Sequence, residues 1–560
     1  MNTYKLLICL VTLSLVSSCQ SQAKKSIKNT LVEKSLNDID ATILYYEHLK
    51  KEKLDHYNFE DENELNSLGY QLLNDERVED AIKIFTLLIS EFPNSANAYD
   101  SLGEAYLKND NRVLAIKNYE KSLALHPKNE NAERVIVDIE FENRNKNKFY
   151  KVYPKQKYLD DLDELAYTLT TVNPHPYKFM PKEDFWRIVN EKKHLITDKT
   201  NYGEFIWHCS ELVANINCVH SGLGYFNQES EMLPVALRFP LETRFIDKKL
   251  FVTKPLINSN VKEGVEILTI NGTKIEDLRE EIFKHIPSQG HIETGKKLFY
   301  SAYGTAYIAY ALGFPEKYTI RVRGSKSPLK LEQLTTYEPA KRHFATNLCE
   351  SKDLCLDYLD DKTAVLTIIN SGAYYGNRFS IFKDFIDHSF QEIKAKNVKN
   401  LIIDMRSNGG GPGNTGVYLL QYLVKEPFIY KKLAEGSNMA GQSFEPMDNR
   451  FKGKKYFLID GEGGSTTGHI LSFVKQRKLA TIIGEELGGN HFCTGGQRPF
   501  KLSNSGIFYW VGRYTHETTA DSFPDERGIM PDYFVTQSIE DYLNDIDTVM
   551  EYTLKRTQEK

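Results

Sequence analysis

The sequence predicts a multidomain chain: an α-helical repeat segment, then an α/β domain with a β-rich module ahead of its core. Three observations carry this. Between about residues 60 and 130, small and aromatic residues recur at a fixed 34-residue offset. From about 340 to 560, apolar strand-like runs alternate with amphipathic helix-like runs, which argues for parallel strands. Between these regions, short strands are punctuated by Gly and Asn turns. A chain of 560 residues is too long for one core and suggests three or four domains. Hydrophobic residues make up 41% and charged residues 26%, as in ordinary globular protein. The net charge is −5 with both signs dispersed, so no basic patch argues for nucleic acid.

The chain opens with MNTYKLLICLVTLSLVSSC. One Lys, an apolar run of signal-peptide length and small residues before Cys19 mark a targeting segment over 1–18. The run is too short for a comfortable membrane span. VSSC resembles the lipobox of bacterial lipoproteins, and a plain secretory signal is the alternative. The resemblance implies cleavage before Cys19 and a diacylglyceryl thioether on its sulfur. Residues 19–29 then form a polar tether. Gln20 follows Cys19 and no acidic run follows, so by resemblance to sorting patterns the anchor is expected in the outer membrane, facing the periplasm.

Of seven cysteines, Cys209, Cys218, Cys349, Cys355 and Cys493 remain after Cys9 and Cys19. The odd count without a CxxC pair argues against zinc and against a full disulfide framework. Cys349 and Cys355 either pair in an oxidising compartment or stay buried thiols.

Residues 30–140 carry the repeat. Leu68-Gly69, Ala81, Phe85 and Pro93 recur as Leu102-Gly103, Ala115, Tyr119 and Pro127. The small residues let antiparallel helices approach, and Phe85 and Tyr119 fill the space between units. This resembles tetratricopeptide repeats, which bind partner proteins or pack on their own chain. A charged boundary follows at 140–155. Residues 155–230 are expected as helices. Residues 232–330 centre on VKEGVEILTINGTKIEDLREEIF, with a strand, an NG turn and a helix. That block resembles a PDZ-like module, whose open strand takes extended peptide by strand addition. Over 340–555 the predicted strands are TAVLTIIN, NLIIDM, KYFLID and ATIIGE. The predicted helices are NRFSIFKDFIDHSFQEIKAK, TGVYLLQYLVK and GHILSFVKQRK.

Two strand-to-helix turns in this core carry the chemistry. NLIIDMRSNGGGPGNTG (400–416) presents backbone N–H groups at a helix entrance, where negative charge is favoured. A phosphate loop is the competing reading, but GxxxxGK[ST] is missing. GEGGSTTGH (461–469) places three hydroxyls at the next turn, either as a helix cap or as a nucleophile.

LIIDMRSNGGG, the strand leading to Ser465, ATIIGEELGG and RGIMPDY together resemble the tail-specific (C-terminal processing) and tricorn-core serine peptidases. The resemblance runs over about 155–555 in family order and implies a crotonase-like α/β core. In the family the nucleophile lies nineteen residues before a Gly-Glu strand end; Ser465 stands at that distance from Gly484-Glu485. One branch has a Lys base 25 residues after the Ser. Here that position is Asn490, which cannot act as a base. The other branch uses Ser, His and an acid. Its His falls in ANINCVHSGLGYF, at His220, and its acid at Asp525 or the adjacent Glu526. The implied oxyanion donors are the N–H groups of Gly409 or Gly410 and of Thr466. The resemblance implies peptide or protein substrates and no metal or cofactor.

Many members carry Glu three residues after the Ser, where this chain has Gly468. His469 is the nearest alternative base, with His491 and His516 behind it. The lost Lys and Glu also leave open an inactive, peptidase-like binding protein. A third reading is an envelope scaffold whose repeats are the working part.

Overall fold

The structure is a computed structural model that describes residues 24–144, 148–223, 233–338, 349 and 353–559. The signal segment and Cys19 lie outside the described residues. The chain divides into two compact units, one up to Asp110 and one from Asn111. The division falls between the two helices of the second repeat.

The first unit contains helices Ile27–Ser35, Ile39–Glu52, Glu62–Asn74, Val78–Glu91 and Ala96–Lys108. Side chains of Asp61 and Ser95 cap two of them by accepting backbone N–H bonds. The 34-residue offset is preserved in the helices: Glu62–Asn74 is matched by Ala96–Lys108, and Val78–Glu91 by Arg112–Leu125. Gly69 is required where its helix meets the next. A Cβ there would lie 2.4 Å from Phe85 Cε1.

In the second unit, helices Lys155–Val172, Lys182–Leu195 and Tyr202–Ala214 precede an antiparallel sheet. Its strand order is Leu241–Ile246, Lys249–Pro255, Glu266–Ile270, Tyr318–Val322 and Leu329–Leu331. The predicted NG turn is present: Asn271 and Gly272 both have positive φ, and Ile270 pairs with Thr273 across them. Leu241–Ile246 is an edge strand and packs on helix Thr294–Ala311. The helices and this sheet share one core, with Tyr158, Phe205, Leu250, Tyr300 and Ile320 in a single buried cluster. They are therefore built as one body rather than as separate blocks.

The α/β core carries a six-stranded sheet. Its order is Tyr533–Phe534, Thr481–Gly484, Lys454–Ile459, Asn400–Asp404, Thr363–Ile368 and Leu354–Asp360. All neighbours are parallel except the last pair, an antiparallel hairpin. All four predicted strands are present. Every residue of Thr363–Ile368 is buried, because helices or chain cover both sheet faces. The three predicted helices form as Phe379–Ala395, Gly413–Gln421 and Thr466–Gln476.

Two smaller antiparallel sheets matter for the site. Phe492–Gly495, Tyr514–Thr518 and Lys431–Ala434 form one, and Gly222–Leu223 joins Phe508–Val511 in the other. The second brings the segment around His220 to the core across nearly 300 residues of chain. Cys349 and Cys355 are joined in a disulfide, while Cys209, Cys218 and Cys493 are free and buried.

Candidate active site

Both chemical turns leave the carboxyl ends of adjacent parallel strands, the edge where open α/β sheets bind ligands. Strand Lys454–Ile459 is apolar and buried at its end, and helix Thr466–Gln476 starts seven residues later. Ser465 occupies the N-cap position at φ +49° and ψ −121°, a region that non-Gly residues rarely adopt. Its side chain makes no cap hydrogen bond. The hydroxyl is therefore not consumed as a helix cap.

The Gly-rich turn presses directly on Ser465. Gly410 has φ +98°, and a Cβ there would lie 2.6 Å from Gly464 O and 2.8 Å from Ser465 Cβ. Thr466 Oγ1 donates to Gly411 O, tying the turns further. The Gly410 N–H donates to Asn408 Oδ1 at 3.0 Å. Asn408 is fully buried and also donates to Ile368 O at 2.8 Å. Gly409 borders open space, with nothing within 4 Å of an added Cβ. The Thr466 N–H is among the first four of its helix, which have no intrahelical acceptor.

The departures from the resembled family have physical causes. At Gly468 an added Cβ would lie 2.6 Å from Asn490 O, so a Glu has no room. Asn490 is buried and braces the loop that carries the candidate acids. Its Nδ2 donates to Asp525 O at 2.7 Å and Arg527 O at 2.8 Å, and its Oδ1 accepts Phe492 N–H at 2.9 Å.

Four histidines surround this region. His220 lies in the turn after helix Tyr202–Ala214 and is 8% exposed. Its Nδ1 is buried without a hydrogen-bond partner among the described residues. Burial, and then nearby His516, push its pKa down to about 4, so the imidazole is neutral. His516 pairs across strands with Cys493 and is likewise lowered to about 4, chiefly by burial. His469 has both ring nitrogens engaged: Nδ1 with Lys431 Nζ, and Nε2 with Cys493 Sγ at 3.5 Å. The Cys493 thiol in turn shares a hydrogen bond with the Ser465 side chain. Burial holds that thiol at about 11 and lowers Lys431 to about 7.

His491 is the histidine that holds an acid. Its Nε2 lies 2.9 Å from Asp525 Oδ1, and Lys178 Nζ lies 2.5 Å from Asp525 Oδ2. Burial lowers its pKa, with Asp525 opposing. Its Nδ1 is buried without a partner among the described residues. Glu526 is exposed, and its main-chain carbonyl accepts from His291 N–H at 2.9 Å. The structure thus gathers Ser465, Gly409, Gly410 and Thr466 into one place. It gives Asp525 to His491 and leaves the unpartnered nitrogen of His220 without an acid among the described residues.

Lys431 and Cys493 carry no motif signal that would have found them, and Asn408 lies inside the LIIDMRSNGGG run without its side chain being marked. A lysine in a run of KK and a thiol in FCTG look ordinary until the fold buries them.

Residues 376–535 match the family model for Peptidase family S41. No curated protein matches the chain. Among solved structures, mature CPAF complexed with lactacystin is 14% identical, with 72% of this chain and 98% of that one covered and a TM-score of 0.50. The photosystem II D1 C-terminal processing protease is 12% identical over 68% of this chain and 92% of that one, with a TM-score of 0.33. The tricorn protease is 14% identical over 72% of this chain and 36% of its own, with a TM-score of 0.33.

Proposed function

We propose that this chain, which carries a serine-peptidase domain of family S41, cleaves peptide bonds in the cell envelope with Ser465 as nucleophile and His220 as base. The observation that carries it is Ser465 itself: a left-handed N-cap serine whose hydroxyl leaves its helix uncapped and which abuts a Gly-rich turn. Ser465 attacks the carbonyl. A neutral imidazole takes its proton and passes it to the leaving amine. N–H groups of Gly409 (or Gly410, if released by Asn408) and of Thr466 hold the oxyanion. One such donor is worth about 2.7–4 kcal/mol of transition-state stabilisation. Asp525 is held by His491 and Lys178, so in this reading His220 works without the acid that the resemblance implies.

One observation favours a second reading of the base. His491 already has its carboxylate, Asp525, and a free second nitrogen. A Ser465–His491–Asp525 arrangement is the competing triad.

Recruitment is proposed on the edge strand Leu241–Ile246 and helix Thr294–Ala311. They line a cavity of about 170 Å3 that reaches Asp460 and Glu462 of the nucleophile turn. An extended peptide adding to that strand, PDZ-like, would enter beside the site. The tetratricopeptide-like helices are proposed to bind a partner protein. The ion pair of Glu130 with Arg513 ties helix Glu130–Arg144 to the turn before strand Tyr514–Thr518. Lipid anchoring at Cys19 in the outer membrane, facing the periplasm, rests on the lipobox. The Cys349–Cys355 disulfide fits an oxidising compartment.

A fluorophosphonate probe tests the reading. Covalent labelling at Ser465, lost in Ser465→Ala, supports the peptidase. A folded protein that takes no label favours a binding role on a peptidase scaffold.

A further inference from the structure

The turn that carries Ser465 and the turn that carries the glycines start from different strands, yet one half-buried carboxylate holds both. Asp460 is the first residue after strand Lys454–Ile459. Ser407 N–H donates to both of its oxygens at 3.0 Å, and Glu462 N–H donates to Oδ1 at 3.0 Å. Ser407 Oγ lies 3.4 Å from Oδ2. Ser407 has φ +61°, unusual for a residue with a side chain, and it leads into Asn408 and the glycines. Glu462 leads into Ser465.

We propose that Asp460 is a positioning residue, whose carboxylate locks the Gly-rich turn to the nucleophile turn and so sets the oxyanion donors against Ser465. This rests on the reading of Ser465 as nucleophile. An ionised carboxylate is acceptor-only and satisfies all three donors; a protonated one gives up an acceptor site. Losing it frees the strained Ser407 backbone, and misplacement of the donors by about 1 Å lowers rate by roughly a hundredfold.

The surroundings make this carboxylate titrate at an unusual pH. Burial and then Glu462 push it up to about 7, against the Ser407 and Glu462 N–H groups and Arg406. Arg406 does little to relieve it, because its guanidinium is held between Asp404 and Asp547. Glu485 from the neighbouring strand end and Glu242 and Asp247 of the edge strand and its turn, with Lys297 and Arg244, complete the charged groups that line the cavity. His220, lowered to about 4, titrates well below that. Lys431, lowered to about 7 beside His469, titrates in the same range, so the loss near neutral pH is assigned to Asp460 by its disappearance in Asp460→Asn.

The test is the rate of fluorophosphonate labelling of the full chain between pH 5 and 9, with the labelled residue located by mass spectrometry. In the wild type the rate should fall about tenfold per pH unit below the limb, as one protonation requires. Asp460→Asn should flatten that limb and lower the plateau by roughly tenfold to a hundredfold. Glu462→Gln removes a like charge and should move the limb down by about one pH unit. An unchanged limb in Asp460→Asn overturns the proposal while leaving Ser465 as nucleophile. If Asp460→Asn does not fold, an unmoved limb in Glu462→Gln overturns it instead. No labelling of the folded wild type at any pH sinks the nucleophile reading, and this proposal with it.

Discussion

The two halves of the candidate site are built in opposite ways. The nucleophile half comes from one sheet edge. Strands Asn400–Asp404 and Lys454–Ile459 are parallel neighbours, and both turns leave at their carboxyl ends. The histidine half is assembled from a helix-exit turn (His220), the helix of Ser465 (His469), a loop after Gly489 (His491) and an antiparallel strand (His516). The first half is fixed by local backbone geometry. The second depends on tertiary packing that brings four imidazoles to one region. The proposed nucleophile is thus held by local backbone geometry, whereas the proposed base depends on which ring nitrogen packing leaves free.

The largest effect should come from breaking the first half. Ser465→Ala should lower peptide hydrolysis by about a millionfold, the scale seen when a serine nucleophile is removed. The thermal midpoint should stay near wild type, since the hydroxyl caps no helix. Substantial residual turnover in a purified, folded variant would remove Ser465 from the mechanism.

The next comparison separates the histidines. If His220 is the base, His220→Ala should cost roughly ten-thousandfold or more in kcat, and His491→Ala less than about tenfold. The reverse order would establish the His491–Asp525 pair instead, and Asp525→Asn would then follow His491→Ala. His469→Ala should have a smaller effect than loss of the base, because its nitrogens are engaged by Lys431 and Cys493 and reach Ser465 only through the Cys493 thiol.

The nucleophile half was legible because its signals are short-range. The apolar strands, the three glycines and the spacing from Ser465 to Gly484-Glu485 all sit within 86 positions of chain, Asn400 to Glu485. The alternation of strand and helix gave the parallel sheet for the same reason. His220 was indicated only by resemblance, since nothing near it in sequence marks a base. The partner of Asp525 was not legible at all. It depends on Asn490 drawing the 524–527 loop toward His491, a contact between segments about 35 positions apart. The hairpin strand Leu354–Asp360 was also missed. Its pattern is half-buried and mixed, because it lies at the sheet edge.

A smaller effect should come from loosening that loop. Asn490→Ala removes the donor to Asp525 O and Arg527 O and the acceptor of Phe492 N–H. Each buried group left unpaired costs about 1–3 kcal/mol. The variant should melt several degrees lower (a few degrees per kcal/mol at this size). It should also weaken the His491–Asp525 pair. If His220 is the base, kcat should change far less than stability; a parallel collapse of kcat would point to the His491 triad.

The smallest effect tests the histidine half as a group, through pH and stability. His220 and His516 are lowered to about 4, and His469 and His491 are lowered as well, each chiefly by burial. In the unfolded chain each titrates near pH 6.5. Between those values the unfolded state binds protons that the native state refuses, so stability is full above about pH 6.5 and falls as pH drops toward 4. Asp460 acts with the opposite sign. Its folded pKa is raised to about 7, so its contribution is present at low pH and is lost as pH rises through that value. Four imidazoles oppose one carboxylate in the same window, so the thermal midpoint should fall by about 5 °C from pH 7 to 5. Asp460→Asn removes the opposing contribution and should steepen that fall. A midpoint that rises on acidification would mean the histidines are not held neutral, and the second half of the site would need to be rebuilt around charged imidazoles.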